Sequence, residues 1–289
     1  MIQESELILN NDGTIFHLHL KPENVADQVI LVGDQDRVET VAGFFDSIEF
    51  SAQNREFKTI TGLYKNRRIS VISTGIGTDN IDIVLNELDA LVNIDLKTRE
   101  IKKEKKSLSI VRIGTSGSLQ EDIPVNSYVI SQKSIGFDGM LNFYADRELI
   151  SDLPFEKAFK SFTGWKNSLP TPYVVNSSKK LISKFDTELF KKGVTISAPG
   201  FYGPQGRVLR IPLAMPQLNQ LLEQFQFEGL KITNFEMESS AIYGLSKMLG
   251  HNALTVCLII ANRVTGQANE NYRPKMEHLI KTVLDNLTE

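Results

Sequence analysis

The sequence predicts a single three-layer α/β/α domain over residues 1–289, with helices on both faces of a central mixed β-sheet. Short β-branched runs alternate with helical-period segments from end to end, and neither an internal repeat nor a linker-like stretch divides the chain. With 289 residues, 41% of them hydrophobic and 23% charged, the chain can bury a large core in one such domain.

A formal net charge of −3 gives no global attraction for nucleic acid or an acidic membrane, so any anion site must be local. Cys257, the only cysteine, lies in the apolar run Leu254–Ala261 and reads as a small core residue of a protein kept in a reducing cytoplasm. The acidic start Met1-Ile-Gln-Glu-Ser-Glu and the absence of any long apolar run predict neither a signal peptide nor a transmembrane helix.

Residues 14–20 alternate and predict a short extended segment with His17 and His19 on one face, without a third ligand at metal spacing. Gln28–Val32 is a buried-type strand running into Gly33-Asp34-Gln35-Asp36-Arg37, followed by helical spacing at Val38, Val41, Ala42 and Phe45. A glycine and an arginine at such a turn suit an anion; equally, Asp34 or Asp36 caps the helix and Arg37 pairs with an acid.

Residues 54–62 and Arg68–Ser73 read as strands, the second stopping at Thr74-Gly75-Ile76-Gly77. The third glycine of a dinucleotide fingerprint is missing. A helix follows with Ile81, Val84, Leu85, Leu88, Leu91 and Val92 on its apolar face and Asp79 or Asn80 as cap, and the charged stretch Lys97–Ser107 reads as solvated surface. Leu108–Ile113 is a strand expected to open into a loop at Gly114-Thr115-Ser116-Gly117. Arg112, two hydroxyls and two small backbone positions converge there, a set suited to holding an anion.

Ser127–Ile135 is a strand, residues 142–172 an irregular excursion around Pro154, Pro170 and Pro172, Lys179–Phe190 a helix, and Val194–Ala198 a strand. The loop after it carries Phe201, Gln205 and Arg207. The last two alternate and can present donors and one acceptor to a flat heterocycle, with Phe201 on its face. Pro216–Phe225 reads as a helix, and Thr233–Ala241 as the start of a longer one capped by Asn234. In that helix Glu236 and Glu238 fall in the first turn, about 200° apart, so both cannot face one ligand. One of them could instead grip vicinal sugar hydroxyls. Gly250–Ala261 is the last strand, closing at Asn262-Arg263, and Pro274–Leu287 the last helix.

Taken in order, Phe16-His17-Leu18, Val32-Gly33-Asp34-Gln35-Asp36-Arg37-Val38, Arg55-Glu56-Phe57, Ser73-Thr74-Gly75-Ile76-Gly77, Arg112-Ile113-Gly114-Thr115-Ser116-Gly117, residues 201–207, Asn234-Phe235-Glu236-Met237-Glu238-Ser239 and Asn262-Arg263 resemble the hexameric nucleoside phosphorylase family, on its uridine-cleaving branch. The resemblance covers nearly the whole chain. It implies attack of inorganic phosphate on the anomeric carbon of a pyrimidine nucleoside, with Arg112, Glu238 and Arg207 carrying the catalysis. By the same resemblance Gly33, Arg37, Arg112 and Thr115 bind phosphate, joined by Arg55 from a neighbouring subunit. Thr115, Met237 and Glu238 take the ribose, with His17 of the neighbour at the 5′-hydroxyl. Gly117, Phe201, Gln205 and Arg207 take the base, with Arg263 in support.

No cofactor is implied beyond a structural potassium ion, at whose ligand positions Glu56, Ile76 and Asn80 stand, Asn80 replacing a serine. The implied assembly is a dimer-based hexamer with shared sites. Purine-acting relatives place an aspartate where this chain has Asn262-Arg263. Gln35 stands in place of the usual proline, and Gly203-Pro204 reverses the usual order. A phosphorylase with another base preference and a non-catalytic nucleoside-binding protein of the same fold stay open as alternatives.

Overall fold

Apolar runs become strands covered on both faces, and the amphipathic segments between them become the covering helices. The computed structural model describes residues 1–289. In chain order the elements are β1 Gln28–Val32, α1 Gln35–Ala42, β2 Ser47–Asn54, β3 Phe57–Tyr64, β4 Arg67–Ser73, α2 Thr78–Asn93, β5 Ile94–Asp95, β6 Glu100–Ile101, β7 Ser109–Ser118, β8 Tyr128–Gly136, α3 Leu153–Thr163, β9 Tyr173–Asn176, α4 Lys179–Ile182, β10 Phe190–Ser197, α5 Leu218–Gln224, β11 Gln226–Phe227, β12 Leu230–Glu236, α6 Ser239–Leu249, β13 Asn252–Asn262 and α7 Arg273–Thr288.

Apart from the small β5–β6 ribbon, the strands form one mixed sheet in the order β11-β12-β10-β8-β13-β7-β1-β4-β3-β2, with β9 on β8. The end of β12 also pairs antiparallel with the end of β7, Asn234 opposite Ser118 and Phe235 opposite Gly117. That extra pairing curls β7, β13, β8, β10 and β12 into a closed ring, so residues far apart in sequence meet at its rim.

Alternation along β1 shows how the layers arise: Val29 and Leu31 join the apolar cluster under α2 and α6, while Ile30 and Val32 join the one under α1 and α7. Each buried Leu or Ile of these clusters is worth about 1.5–3 kcal/mol. A third cluster packs Phe155 and Phe159 of α3 and Leu218 and Leu222 of α5 against Val194, Ile196 and Ile232. No helix is long and apolar enough to cross a membrane.

The α/β fold with a mixed sheet matches the expectation, but several local expectations are corrected. Residues 14–20 form a turn, with His19 N–H on the Ile15 carbonyl at 3.0 Å and His19 at φ 55. Burial of Ile15, Leu18 and Leu20 produces the alternation without a strand. The excursion at 142–172 contains α3: Asp152 caps it and Pro154 sits in its first turn, where a missing N–H costs nothing. Helix after Lys179 lasts only to Ile182, with a short 3₁₀ turn to Phe185 and strand from Phe190. The cap of α2 is Gly77, at φ 102, in place of Asp79 or Asn80. Two further corrections, in β7 and β12, create the site.

Candidate active site

The strand carrying Arg112 does not end at Gly114; β7 continues to Ser118, flanked by β13 along its length. Arg112 and Gly114 share a face, and the guanidinium folds back over the glycine. A Cβ on Gly114 would stand 1.9 Å from Arg112 Nη1. The glycine therefore clears space for an arginine inside a regular strand.

The second correction concerns the two glutamates. Asn234 caps nothing; it lies within β12, which runs to Glu236, while α6 begins only at Ser239 with Glu238 at its cap position. The about 200° separation expected for a helix therefore does not apply, and both carboxylates face Arg112. Nη1 stands 3.6 Å from Glu236 Oε2, and Nη2 donates to Glu238 Oε2. All three side chains are buried, and Arg112 Nε and Nη1 have no hydrogen-bond acceptor.

Burial opposes the charge on Arg112, but Glu238 and Glu236 outweigh it and raise its pKa, so it stays a cation. Burial pushes the Glu238 carboxyl up to about 7, with Arg112 pulling it down and Glu236 adding to the rise. The Gly77 N–H donates to the other Glu238 oxygen at 2.9 Å.

At the end of β1, Asp34 accepts the Arg37 N–H at 2.8 Å and pairs with its guanidinium at 3.0 Å. Capping and cleft-lining are thus both true of this turn. At the opposite end, Arg207 Nη1 donates at 2.6 Å to the Phe201 carbonyl and at 2.6 Å to Gln205 Oε1, and its guanidinium carbon lies 3.8 Å from the centre of the Phe201 ring. Phe201 thus stacks on Arg207. Arg263 donates to the Gln205 carbonyl at 3.2 Å, and burial together with Arg263 pushes Arg207 down to about 10.

These parts share one cleft of about 340 Å³ at the carboxyl ends of β1, β7 and β12. Gly33, Arg37, Arg112, Thr115 and Gly117 line it together with Phe201, Gln205, Arg207, Met237 and Glu238. Size alone does not pick it out. A groove of about 980 Å³ beside Lys133, Lys179 and Lys247 is larger but contains none of this set.

His17 and Arg55 lie elsewhere. His17 Nδ1 is 2.7 Å from Glu87 of α2, while His19 turns away to Asp12 at 3.1 Å. Arg55 occupies the β2–β3 turn at φ 54, 5.9 Å from the Phe16 ring, and Asn54 donates to the His17 carbonyl at 2.8 Å. The two therefore sit side by side on one edge, outside the cleft of their own chain. Glu56, Ile76 and Asn80 line a shallow depression beside Gly33 and Asp34. The Glu56 and Asn80 side chains converge over Gly75, whose missing Cβ would lie 3.2 Å from Glu56 Cγ and 2.4 Å from Asn80 Nδ2. A carboxylate, an amide and a main-chain carbonyl are oxygen donors that suit a hard cation.

A family model described as the phosphorylase superfamily matches residues 27–286. The chain belongs to this superfamily. Within it, a uridine phosphorylase of Thermococcus kodakarensis is 29% identical over 264 residues, 89% of this chain and 80% of that protein. A DeoD-type purine nucleoside phosphorylase of Oceanobacillus iheyensis is 25% identical over 274 residues, 94% of this chain and 98% of the relative. A solved Trypanosoma brucei nucleoside phosphorylase, described as showing uridine phosphorylase activity, aligns with a TM-score of 0.87 at 29% identity, over 98% of this chain and 99% of that one.

Sequence reasoning missed Glu236, which lines the cleft, and the Gly77 N–H, which holds Glu238. The β-branched pair Ile232-Thr233 followed by Phe235 was the signal available for Glu236, since it marks strand, not helix.

Proposed function

We propose that the chain catalyses phosphorolysis of uridine, giving uracil and ribose 1-phosphate. The observation that carries this reading is a buried arginine paired with two carboxylates in the same cleft as a Gln/Arg pair. Phosphate is a weak nucleophile while hydrated, and a site that replaces its water with fixed donors activates it. The Arg112 guanidinium, the Thr115 hydroxyl, Arg37 and the Gly33 backbone supply those donors. Met237 and Glu238 hold the ribose over them.

A phosphate oxygen bonds to the anomeric carbon as the C–N bond breaks and its electron pair leaves with the base. Positive charge on the sugar is met by phosphate, and negative charge on uracil by Gln205 and Arg207. Asn262 supplies no proton. Its Nδ2 donates to the Gln120 and Ile123 carbonyls at 2.9 and 3.0 Å, and its Oδ1 accepts the Val264 and Thr265 N–H groups at 2.9 Å. An amide so committed favours a pyrimidine, which leaves as an anion, over a purine that needs protonation.

On this reading the active form is a dimer-based hexamer. Arg55 and His17, adjacent on one edge, reach a neighbour's phosphate and 5′-hydroxyl, and a potassium ion takes the Glu56, Ile76 and Asn80 oxygens. Its place of action is the cytoplasm.

The test is purified protein with uridine, with and without phosphate, and with inosine in parallel, following free base. We expect uracil release only when phosphate is present. Release without phosphate overturns phosphorolysis, faster cleavage of inosine overturns the base assignment, and no release from either supports a binding protein.

A further inference from the structure

Glu236 and Glu238 face the same arginine but are held in opposite ways. Glu236 Oε1 accepts the Ser197 hydroxyl at 2.5 Å and the Ser239 hydroxyl at 2.7 Å; the Ser239 N–H donates to both carboxylate oxygens at 3.0 Å, and the Glu238 N–H to Oε2 at 3.0 Å. Behind this cradle Ser134 of β8 and Ser239 bond at 2.7 Å, and Ser197 accepts the Ser240 N–H at 2.8 Å. Glu236 is thus fixed by β10 and by the start of α6, with β8 bracing them. Glu238 accepts from Arg112 and the Gly77 N–H, and its carboxyl also adjoins that of Glu236. If Glu236 left to grip a substrate, several buried donors would lose their acceptor at once. Glu238 would release two, the Gly77 N–H and one arm of Arg112, whose charge Glu236 still meets.

We propose that Glu236 is the positioning residue of this site, a fixed counter-ion that keeps Arg112 aimed into the cleft and anchors the Met237–Glu238 turn. Glu238 is then the one carboxylate free to exchange Arg112 for the ribose hydroxyls. The ribose as its target rests on the phosphorolysis reading; the division of labour between the glutamates rests on the hydrogen bonds. The groups around the pair are Arg112 of β7, Cys257 of β13 and Tyr243 of α6, with Arg37 of α1 and Asp34 lining the same cleft. Of these, Glu236 is the negative charge that adds to the elevation of Glu238.

Glu236→Gln keeps the shape and removes that charge. In the pH profile of kcat/KM for uridine, we expect the acidic limb to move to lower pH by about half a unit or more, because a like charge next to Glu238 is gone. We also expect kcat to fall on the order of tenfold from misplacement of Arg112 and the turn. A folded variant with an unmoved limb overturns the proposal, since a merely structural carboxylate would change stability alone. Should Glu236→Gln fail to fold, Ser197→Ala, which keeps both charges and removes one donor, must lower kcat several-fold, and Ser197→Thr must restore it. Wild-type kcat in Ser197→Ala overturns the proposal as well. If the wild type assayed alongside releases no uracil, the functional reading falls separately. Titration of δ-13C-glutamate in the ligand-free Glu236→Gln protein then decides, with Glu238 required to titrate below its wild-type pH.

Discussion

Glu238 ties proton uptake to folding, because its carboxyl titrates at about 7 in the folded chain against 4.5 for an ordinary glutamate. Between those values the folded state holds a proton that the unfolded chain has released. The stability this confers is complete below the unfolded pKa and is lost as pH rises through the folded one. The melting temperature of ligand-free protein should therefore fall from about pH 5 to about pH 7.5, and Glu238→Gln should flatten that dependence. Equal slopes for wild type and variant would place the titration on another group. At this scale the sequence was most legible where side chains are chemically distinctive: Arg112, Gln205 and Arg207 all line the cleft. Glu236 was illegible because an acid near an expected helix start already has a dipole to explain it. Its real partners, Arg112 and Ser197, come from other strands.

β7 illustrates why elements were harder to delimit than to detect. Gly114-Thr-Ser-Gly reads locally as a break, yet β13 pairs with it residue by residue and β12 closes on its end, so tertiary pairing overrides the local signal. The same override turns residues 233–236 from expected helix into strand, since β12 is held by β10 on one side and β7 on the other. Gly114 is therefore a residue of β7 whose missing side chain is the space for Arg112. Gly114→Ala would place a methyl 1.9 Å from Nη1, with Cys257 Sγ at 3.3 Å closing off another direction. We expect the arginine to be driven off its two carboxylates, a cost of about 1–3 kcal/mol for an overpacked core and a rise in the phosphate KM of tenfold or so. Unchanged phosphate KM and melting temperature would mean that Arg112 does not need this position.

The alternation of strands and helices made the mixed-sheet fold readable from the chain alone, whereas the ring closed by β12 on β7 depends on a pairing that no local pattern announces. That closure brings Gly117, Phe235 and Glu238 to one rim, and it leaves the β2–β3 hairpin at the far end of the sheet. Arg55 stands on this hairpin, held there because Gln35 donates to its carbonyl at 2.6 Å. On the phosphorolysis reading proposed above, this arginine serves phosphate in a neighbouring copy of the chain. Complementation decides the matter. Arg55→Ala and Glu238→Gln subunits are each defective, but in a two-fold pair the Glu238→Gln subunit lends its intact Arg55 to the intact cleft of its partner. Refolded as an equal mixture, the two inactive proteins should regain about one quarter of wild-type activity, the share of sites that random two-fold pairing repairs. Activity no greater than the sum of the two parents would confine each site, Arg55 included, to a single chain.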